Sequence, residues 1–588
     1  MNAEMYHGPT LSANGVTFRL WAPAAKRVEL VLDRPHAMQS RPGGWYELAM
    51  AGAGAGTRYK FRIDDEIEVP DPASHFQPQD VSGPSEVIDH AQFAWQARDW
   101  RGRSWEDTAL LELHVGTFTL GGGFRSAIER LDHIVDTGLT AIELMPLADF
   151  SGRRNWGYDG VLLYAPDSAY GRPDDLKALI DAAHLRGLMV FLDVVYNHFG
   201  PEGNYLSRYA PAFFEVAHTP WGKAIDYRVP EVRNFAVGNA LHWLQHYRLD
   251  GLRLDAVQAI VETGKPPILE ELSRAVGELS ARSGRRIHLV LENDDNRASL
   301  LDPRTNPPQG RYRAQWNDDY HHAWHVLLTG ERKGYYQDYA CASAQHIARA
   351  LSSGFAYQGE VSAHRSGRRR GQPSGALPPS AFVNFLQNHD QVGNRPFGDR
   401  LSTQVEEAAV AAALAVTLLA PMPPLMFMGE EWGSTTPFPF FCDFHGALAD
   451  AVRKGRRAEF KSAYAEFGDE VPDPLAEATF RAAVLDWDAR STPEGRRRLA
   501  LVRELLAIRR KNIVPRLAGA AFGSARADGA ILSANWRLGD GSTLRLIANL
   551  SDKSMPRPME VPAARPLWGG AVGDMLAPWS VFWSVGEG

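Results

Sequence analysis

At 588 residues the chain exceeds what one hydrophobic core supports, so about two to four domains are expected. Hydrophobic residues at 44% and charged residues at 23% are ordinary globular values, and a net charge of −7 gives no general attraction to nucleic acid or an anionic membrane. The two cysteines, Cys341 and Cys442, cannot build a disulfide framework and suit a reducing compartment.

The opening MNAEMYHGPT has neither a basic start nor an apolar core, so no signal peptide is read and a cytoplasmic location is expected. Val16, Phe18 and Leu20 alternate with Thr17, Arg19 and Trp21, and similar runs follow at 28–32, 45–48 and 59–63. That period predicts a β-sandwich, placed at 1–95. Residues 69–85, rich in Pro, Asp and Ser, read as a linker.

From about residue 110 short apolar strands alternate with longer helical patterns, the texture of a parallel sheet with crossover helices. Strands are predicted at 111–115, 141–144, 189–195, 251–254, 288–291, 382–386 and 425–428. Closure into a (β/α)₈ barrel needs an eighth, placed at 355–357. Residues 408–420 are almost wholly apolar, but they fall short of the roughly 20 residues of a membrane span. Pro421, Pro423 and Pro424 stop them, so they read as a buried barrel helix. A helix at 496–510 completes a catalytic barrel at 96–512, and 513–588 returns to strand texture as a C-terminal β-domain, with Asp540-Gly541 as a hairpin turn.

The C-terminal ends of barrel strands hold the active site, so separated segments converge there. FLDVVYNH ends in Asp193, Asn197 and His198; GLRLDAV offers Arg253 and Asp255; LVLEND offers Glu292; FLQNHDQ offers His389 and Asp390. Glycoside hydrolysis with retention needs two carboxyl groups about 5–5.5 Å apart. An Asp ending one strand and a Glu ending its neighbour can meet that distance, since adjacent strands lie roughly 4.8 Å apart. Arg253 stands two residues before Asp255, on the same strand face, where its permanent charge keeps that carboxylate ionised. Glu292 must instead hold a proton near neutral pH, which calls for apolar cover or a neighbouring carboxylate.

These four segments together resemble the signature regions of the α-amylase superfamily of glycoside hydrolases. The resemblance implies that Asp255 is the nucleophile, Glu292 the acid/base and Asp390 the third carboxylate. It also places Arg253, His198 and His389 around the sugar in subsite −1, with Tyr158 of NWGYDG stacking on it and Asp193 bracing Arg253. Gln258 departs from the family, where related enzymes often carry histidine, which puts a sugar contact there in doubt.

Further segments, HVGTFT, IELMPLADF, NWGYDG, TPWG, QWNDDYHHAWH, QNHDQVGNR and PLMFMGEEWG, are similar to the maltooligosyltrehalose trehalohydrolase branch, over about residues 16–510. That branch implies hydrolysis of the α-1,4 bond beside the terminal trehalose unit, releasing trehalose and a maltooligosaccharide. Its substrates would be maltooligosyltrehalose and α-1,4-glucans, and its functional partner a maltooligosyltrehalose synthase. A glycogen branching enzyme or other α-glucan transferase uses the same carboxylates and is the alternative; a noncatalytic glycan-binding protein is argued against by the intact Asp255, Glu292 and Asp390.

Other features read more plainly. His242 and His246, like His321 and His325, lie four apart, but neither pair has a further ligand attached in sequence, so they read as surface or packing histidines. Asn197 matches a position that binds calcium in many amylases, yet no complete oxygen-ligand loop accompanies it, so neither a metal nor a cofactor is expected. Trp156 is placed in the cleft with Tyr158, while Trp221 and Trp316 stand between cleft and core. Asp318 and Asp319 are candidate acceptor-side sugar contacts, with N-capping as the alternative. The arginine-rich run at 365–370 reads as a solvated loop, and Gly121 to Gly123 lacks the Lys-Ser/Thr of a phosphate cradle.

Overall fold

The computed structural model describes residues 7–261, 264–302, 312–558 and 565–586; the first six residues, part of the segment read for a signal peptide, lie outside these. Eight parallel strands close a barrel: β1 (Leu110–Leu113), β2 (Ala141–Leu144), β3 (Met189–Val194), β4 (Gly251–Leu254), β5 (His288–Leu291), β6 (Ala314–Trp316), β7 (Phe382–Phe385) and β8 (Pro424–Phe427), with β8 pairing back onto β1. Every residue of these strands is buried, because side chains fill the barrel inside and helices cover it outside. Leu110, Met189, Phe191, Val290, Trp316 and Phe385 belong to the interior cluster.

The sixth strand is not where the sequence placed it. Only three residues, Ala314–Trp316, bridge Val290 of β5 and Phe382 of β7. Residues 355–357 form a buried turn instead, and the N–H groups of Ala356 and Tyr357 donate to Asp319 at 2.7 and 2.8 Å. An apolar run is a strand only if its amides find a neighbouring strand, and here a carboxylate takes them.

The helix Glu407–Leu419 has almost no polar face, because the helix Pro493–Ile508 and the C-terminal sheet pack over it outside the barrel. Trp583 of that sheet donates its indole N–H to Ala415 O at 3.0 Å, and Trp536 donates to Leu351 O at 2.8 Å. The sheet has five antiparallel strands, two of them joined at Gly541 in a turn that requires its φ of +86°.

At the other end, two antiparallel sheets enclose Phe18, Leu20, Tyr59 and Phe61. The stretch at 69–85, expected as a linker, is instead largely buried. Its polar groups find partners inside the protein: Asp71 accepts from Tyr59 Oη at 2.7 Å and from Ala73 N at 2.8 Å, and Ser85 donates to Gln77 at 2.7 Å. Pro, Asp and Ser mark irregular backbone, and irregular backbone can still pack when its hydrogen bonds close internally. Among the described residues no helix is long and apolar enough to cross a membrane.

Candidate active site

The barrel register brings the charged residues together. Asp193 pairs with Arg253 across β3 and β4, and Leu254 pairs with Leu291 across β4 and β5, so Asp255 and Glu292 leave neighbouring strands at one level. Arg253, almost wholly buried, reaches Asp193 at 2.5 Å, Asp255 at 2.9 Å and Glu292 at 3.3 Å. Its guanidinium lies 4.3 Å above the Trp316 ring. Burial works against its charge, but Asp193, Tyr158, Glu292 and Asp255 outweigh it and hold the group cationic.

Asp255 also accepts from Asn197 Nδ2 at 2.9 Å. The next residue, Ala256, has φ +40°, a left-handed conformation that costs a non-glycine residue strain, and its N–H donates to Glu292 Oε2 at 2.6 Å. The strained turn thus aims one carboxyl while anchoring the other. Burial raises Glu292 well above the usual carboxylate range; Asp255, Asp318 and Asp390 add to the rise and Arg253 opposes it. That is the direction a general acid requires.

Asp390 stands opposite, near the start of the short helix His389–Gly393, which Asn388 caps by accepting from Asp390 N and Gln391 N. Nearly half exposed, its carboxylate accepts from Asn394 Nδ2 at 2.8 Å. His389 is fixed by Glu112 of β1, which accepts from its backbone N–H at 2.9 Å and from its Nδ1. Burial would lower His389, yet Glu112 outweighs it and raises the imidazole above its ordinary value. Glu112 escaped the sequence reading; the signal present was a lone glutamate inside the apolar run LLEL.

Tyr158 donates to Asp193 at 2.6 Å and stacks on His389, with ring centroids 5.1 Å apart. His198 lies between Asn197 Oδ1 and Tyr158 O, and Trp221 stacks on it at 5.5 Å. Trp156 packs edge-on to His389 at 5.4 Å, and a Cβ at Gly393 would fall 1.9 Å from its ring, so only glycine lets that helix approach. Tyr158, Trp156, His198, Trp221, Asp255, Glu292, Asp318, His389 and Asp390 all line one cleft of about 550 Å³. Trp316 does not; it is core beneath Arg253.

Two readings need correction. Asp319, expected beside Asp318 as a sugar contact, is wholly enclosed and fully partnered: Asn296, Tyr339, Ala356, Tyr357 and Arg370 all donate to it within 2.5–2.9 Å. Consecutive residues at a helix start point about 100° apart, so only one of the pair can face the cleft. The arginines at 365–370 do not form a solvated loop throughout, since Arg365 and Arg370 line the cleft and bind Asp294, Arg370 Nη2 at 2.9 Å. Gln258 also lines the cleft and accepts from Asp294 N at 3.2 Å. His321 and His325 are hydrogen-bonded, to Leu386 O at 2.7 Å and Glu331 at 2.8 Å respectively.

Residues 97–215 match the alpha-amylase catalytic domain, residues 6–74 the carbohydrate-binding module 48 (isoamylase N-terminal domain), and residues 518–583 a domain of unknown function. The malto-oligosyltrehalose trehalohydrolase of Deinococcus radiodurans is 44% identical over 86% of this chain and 83% of its own length. That of Saccharolobus solfataricus is 40% identical over 82% and 84%. A Salmonella typhimurium crystal structure with an alpha-amylase description superposes with a TM-score of 0.93 at 45% identity, covering 99% of both chains. Similarity at that level across nearly the whole length, around a barrel with this constellation at its mouth, means that the chain belongs to the malto-oligosyltrehalose trehalohydrolase family.

Proposed function

We propose that this enzyme hydrolyses the α-1,4 bond beside the terminal trehalose unit of maltooligosyltrehalose with retention of configuration, releasing trehalose and a maltooligosaccharide. Glu292 gives its proton to the glycosidic oxygen while the Asp255 carboxylate attacks the anomeric carbon. The bond to trehalose breaks and a glucosyl ester forms. Glu292, now a carboxylate, takes a proton from water, whose oxygen displaces Asp255 and regenerates both groups. Asp390 and His389 hold hydroxyls of the reacting sugar, Tyr158 and His198 bound its ring, and Asp193 fixes Arg253.

The observation that carries this reading is the single guanidinium of Arg253 in contact with both Asp255 and Glu292, with Glu292 pushed well above its usual range. One charge serves two carboxyls whose environments separate their roles. A branching enzyme would use the same groups, but relatives matching over four fifths of the chain carry the trehalohydrolase name. The substrate requires a reaction that converts the reducing end of a maltooligosaccharide to a trehalose unit, so a maltooligosyltrehalose synthase in the same cytoplasm is the proposed partner. Both cysteines are free, which suits that compartment.

Trehalose has no reducing end, and its α,α-1,1 linkage bends the terminal disaccharide off the path of maltose. Hydrogen-bond partners placed for it stay unsatisfied with ordinary maltooligosaccharide, which produces large discrimination. Purified enzyme should therefore cut maltotriosyltrehalose to trehalose and maltotriose with kcat/KM at least about 100-fold above that for maltopentaose. Equal rates on the two, or branched product, would overturn the assignment.

A further inference from the structure

Four histidines converge on the side of the barrel. His242 and His246 lie in the last turns of the helix Pro230–His246, which leads back to the start of β4 and so ends at the face opposite the cleft. The sequence offered that pair no companions, but the chain between the N-terminal sheets and the barrel brings His75 and His90 onto it. The ring centroids of His75 and His242 lie 4.6 Å apart, those of His90 and His246 4.4 Å, and those of His242 and His246 5.1 Å. One nitrogen from each of His75, His90 and His242 falls within 4.8 Å of the other two.

These nitrogens are orphans. His75 is 7% exposed and His242 0%, yet His75 Nδ1, both ring nitrogens of His90, both of His242 and His246 Nε2 have no hydrogen-bond partner. Buried polar groups are normally satisfied, and six unsatisfied nitrogens in one spot call for something to occupy them. The rings cannot answer by ionising, since burial holds His75 down to about 3, His246 to about 4 and the other two well below their ordinary value. Neutral imidazoles present lone pairs, the form that binds a metal.

We propose that His75, His90 and His242, with His246 as fourth donor, form a structural site for a borderline divalent ion, zinc above all, clipping the segment behind the N-terminal sheets to the barrel. An all-imidazole donor set suits such an ion and does not suit calcium or magnesium, which take oxygen. Zinc–nitrogen bonds of 2.0–2.1 Å in a tetrahedron put the nitrogens about 3.4 Å apart, so small rotations of His75, His90 and His242 close three donors around the ion, and His246, its ring centroid 4.4 Å from that of His90, turns further to supply the fourth. The Tyr164 carbonyl favours an N–H on His242, the kind of outer partner that a ligating imidazole uses for its other nitrogen. Entry is open, because His75, His90 and His246 line a cavity of about 870 Å³ that shares no residue with the catalytic cleft. The Lys177 ammonium nearby opposes a cation, but Asp174 pairs with it at 3.2 Å. No step of glucan hydrolysis passes through this site.

The test uses the full-length enzyme, stripped with a chelator and titrated with zinc sulfate alone. One zinc per chain should bind with micromolar or tighter affinity and raise the Tm, and cobalt(II) in its place should give the intense visible bands of a tetrahedral nitrogen site. His75→Gln and His90→Gln should each weaken zinc binding at least about tenfold while leaving maltooligosyltrehalose hydrolysis at the zinc-free level. Absence of stoichiometric binding, or binding that both variants leave unchanged, overturns the proposal. Should the variants fail to fold, the cobalt spectrum of the unaltered enzyme decides: weak octahedral bands or none would refute it.

Discussion

Asp318 and Asp319 are neighbours in the chain and both are buried, yet they serve two regions with opposite demands. Asp318 lines the cleft, where among the described residues nothing donates a hydrogen bond to its carboxyl; burial first, then Asp294, Asp390 and Asp319, raise it to about 7 against Arg370. Asp319 sits one layer behind, closed in by five donors. A packed shell satisfies its polar groups completely, whereas a binding wall leaves some short of partners so that a ligand supplies them. The wall is shaped by the shell, since Arg370 reaches Asp319 on one side and Asp294 on the other.

Substitutions can set the two regions against each other. The largest effect belongs to the cleft: Asp255→Asn should lower kcat by about four orders of magnitude with the Tm little changed. A variant keeping most of its activity would remove Asp255 from the mechanism. In the shell the balance reverses. Asp319→Ala leaves two backbone amides without their acceptor and removes one of the two carboxylates that Arg370 pairs with, so stability should fall by about 3–5 kcal/mol in urea unfolding. The protein that stays folded should lose less activity than Asp255→Asn does.

The remaining substitution, Asp318→Asn, should shift stability in the opposite direction, and only where the carboxyl would ionise. A carboxyl with a folded value near 7 and an unfolded value near 3.8 binds its proton more tightly when folded. It therefore lowers stability progressively as the pH rises from about 4 to 7. Asparagine cannot ionise, so the variant should be the more stable protein at pH 8, with the difference closing by pH 4. Its preference for maltotriosyltrehalose over maltopentaose should also narrow. A constant stability difference across that range would show that Asp318 does not titrate as its surroundings require.

Most of the barrel was legible because its strands are apolar runs buried on both faces, bounded by turns. β6 was not, since AQW carries one large apolar residue and its pairing is fixed by neighbours rather than by its own pattern. FAY has the apolar look without the neighbours. In the site, residues inside recognisable segments could be named in advance. What could not be named were the contacts reaching across the chain: Glu112 to His389 over 277 positions, and Arg365 and Arg370 to Asp294 over 71 and 76. A charge run shows only that charge is present. Whether it faces water or an acidic partner depends on folding that no local window contains.

Trp536 and Trp583 carry a consequence for modularity. Both are wholly buried, they stack on each other at 5.6 Å, and each indole gives its one proton to a carbonyl of a barrel helix. The C-terminal sheet is therefore not cargo that could be exchanged between relatives at a loop. A graft lacking tryptophan at these two places would leave both a void and idle helix carbonyls, so the sheet and the barrel wall have to be inherited as a matched set.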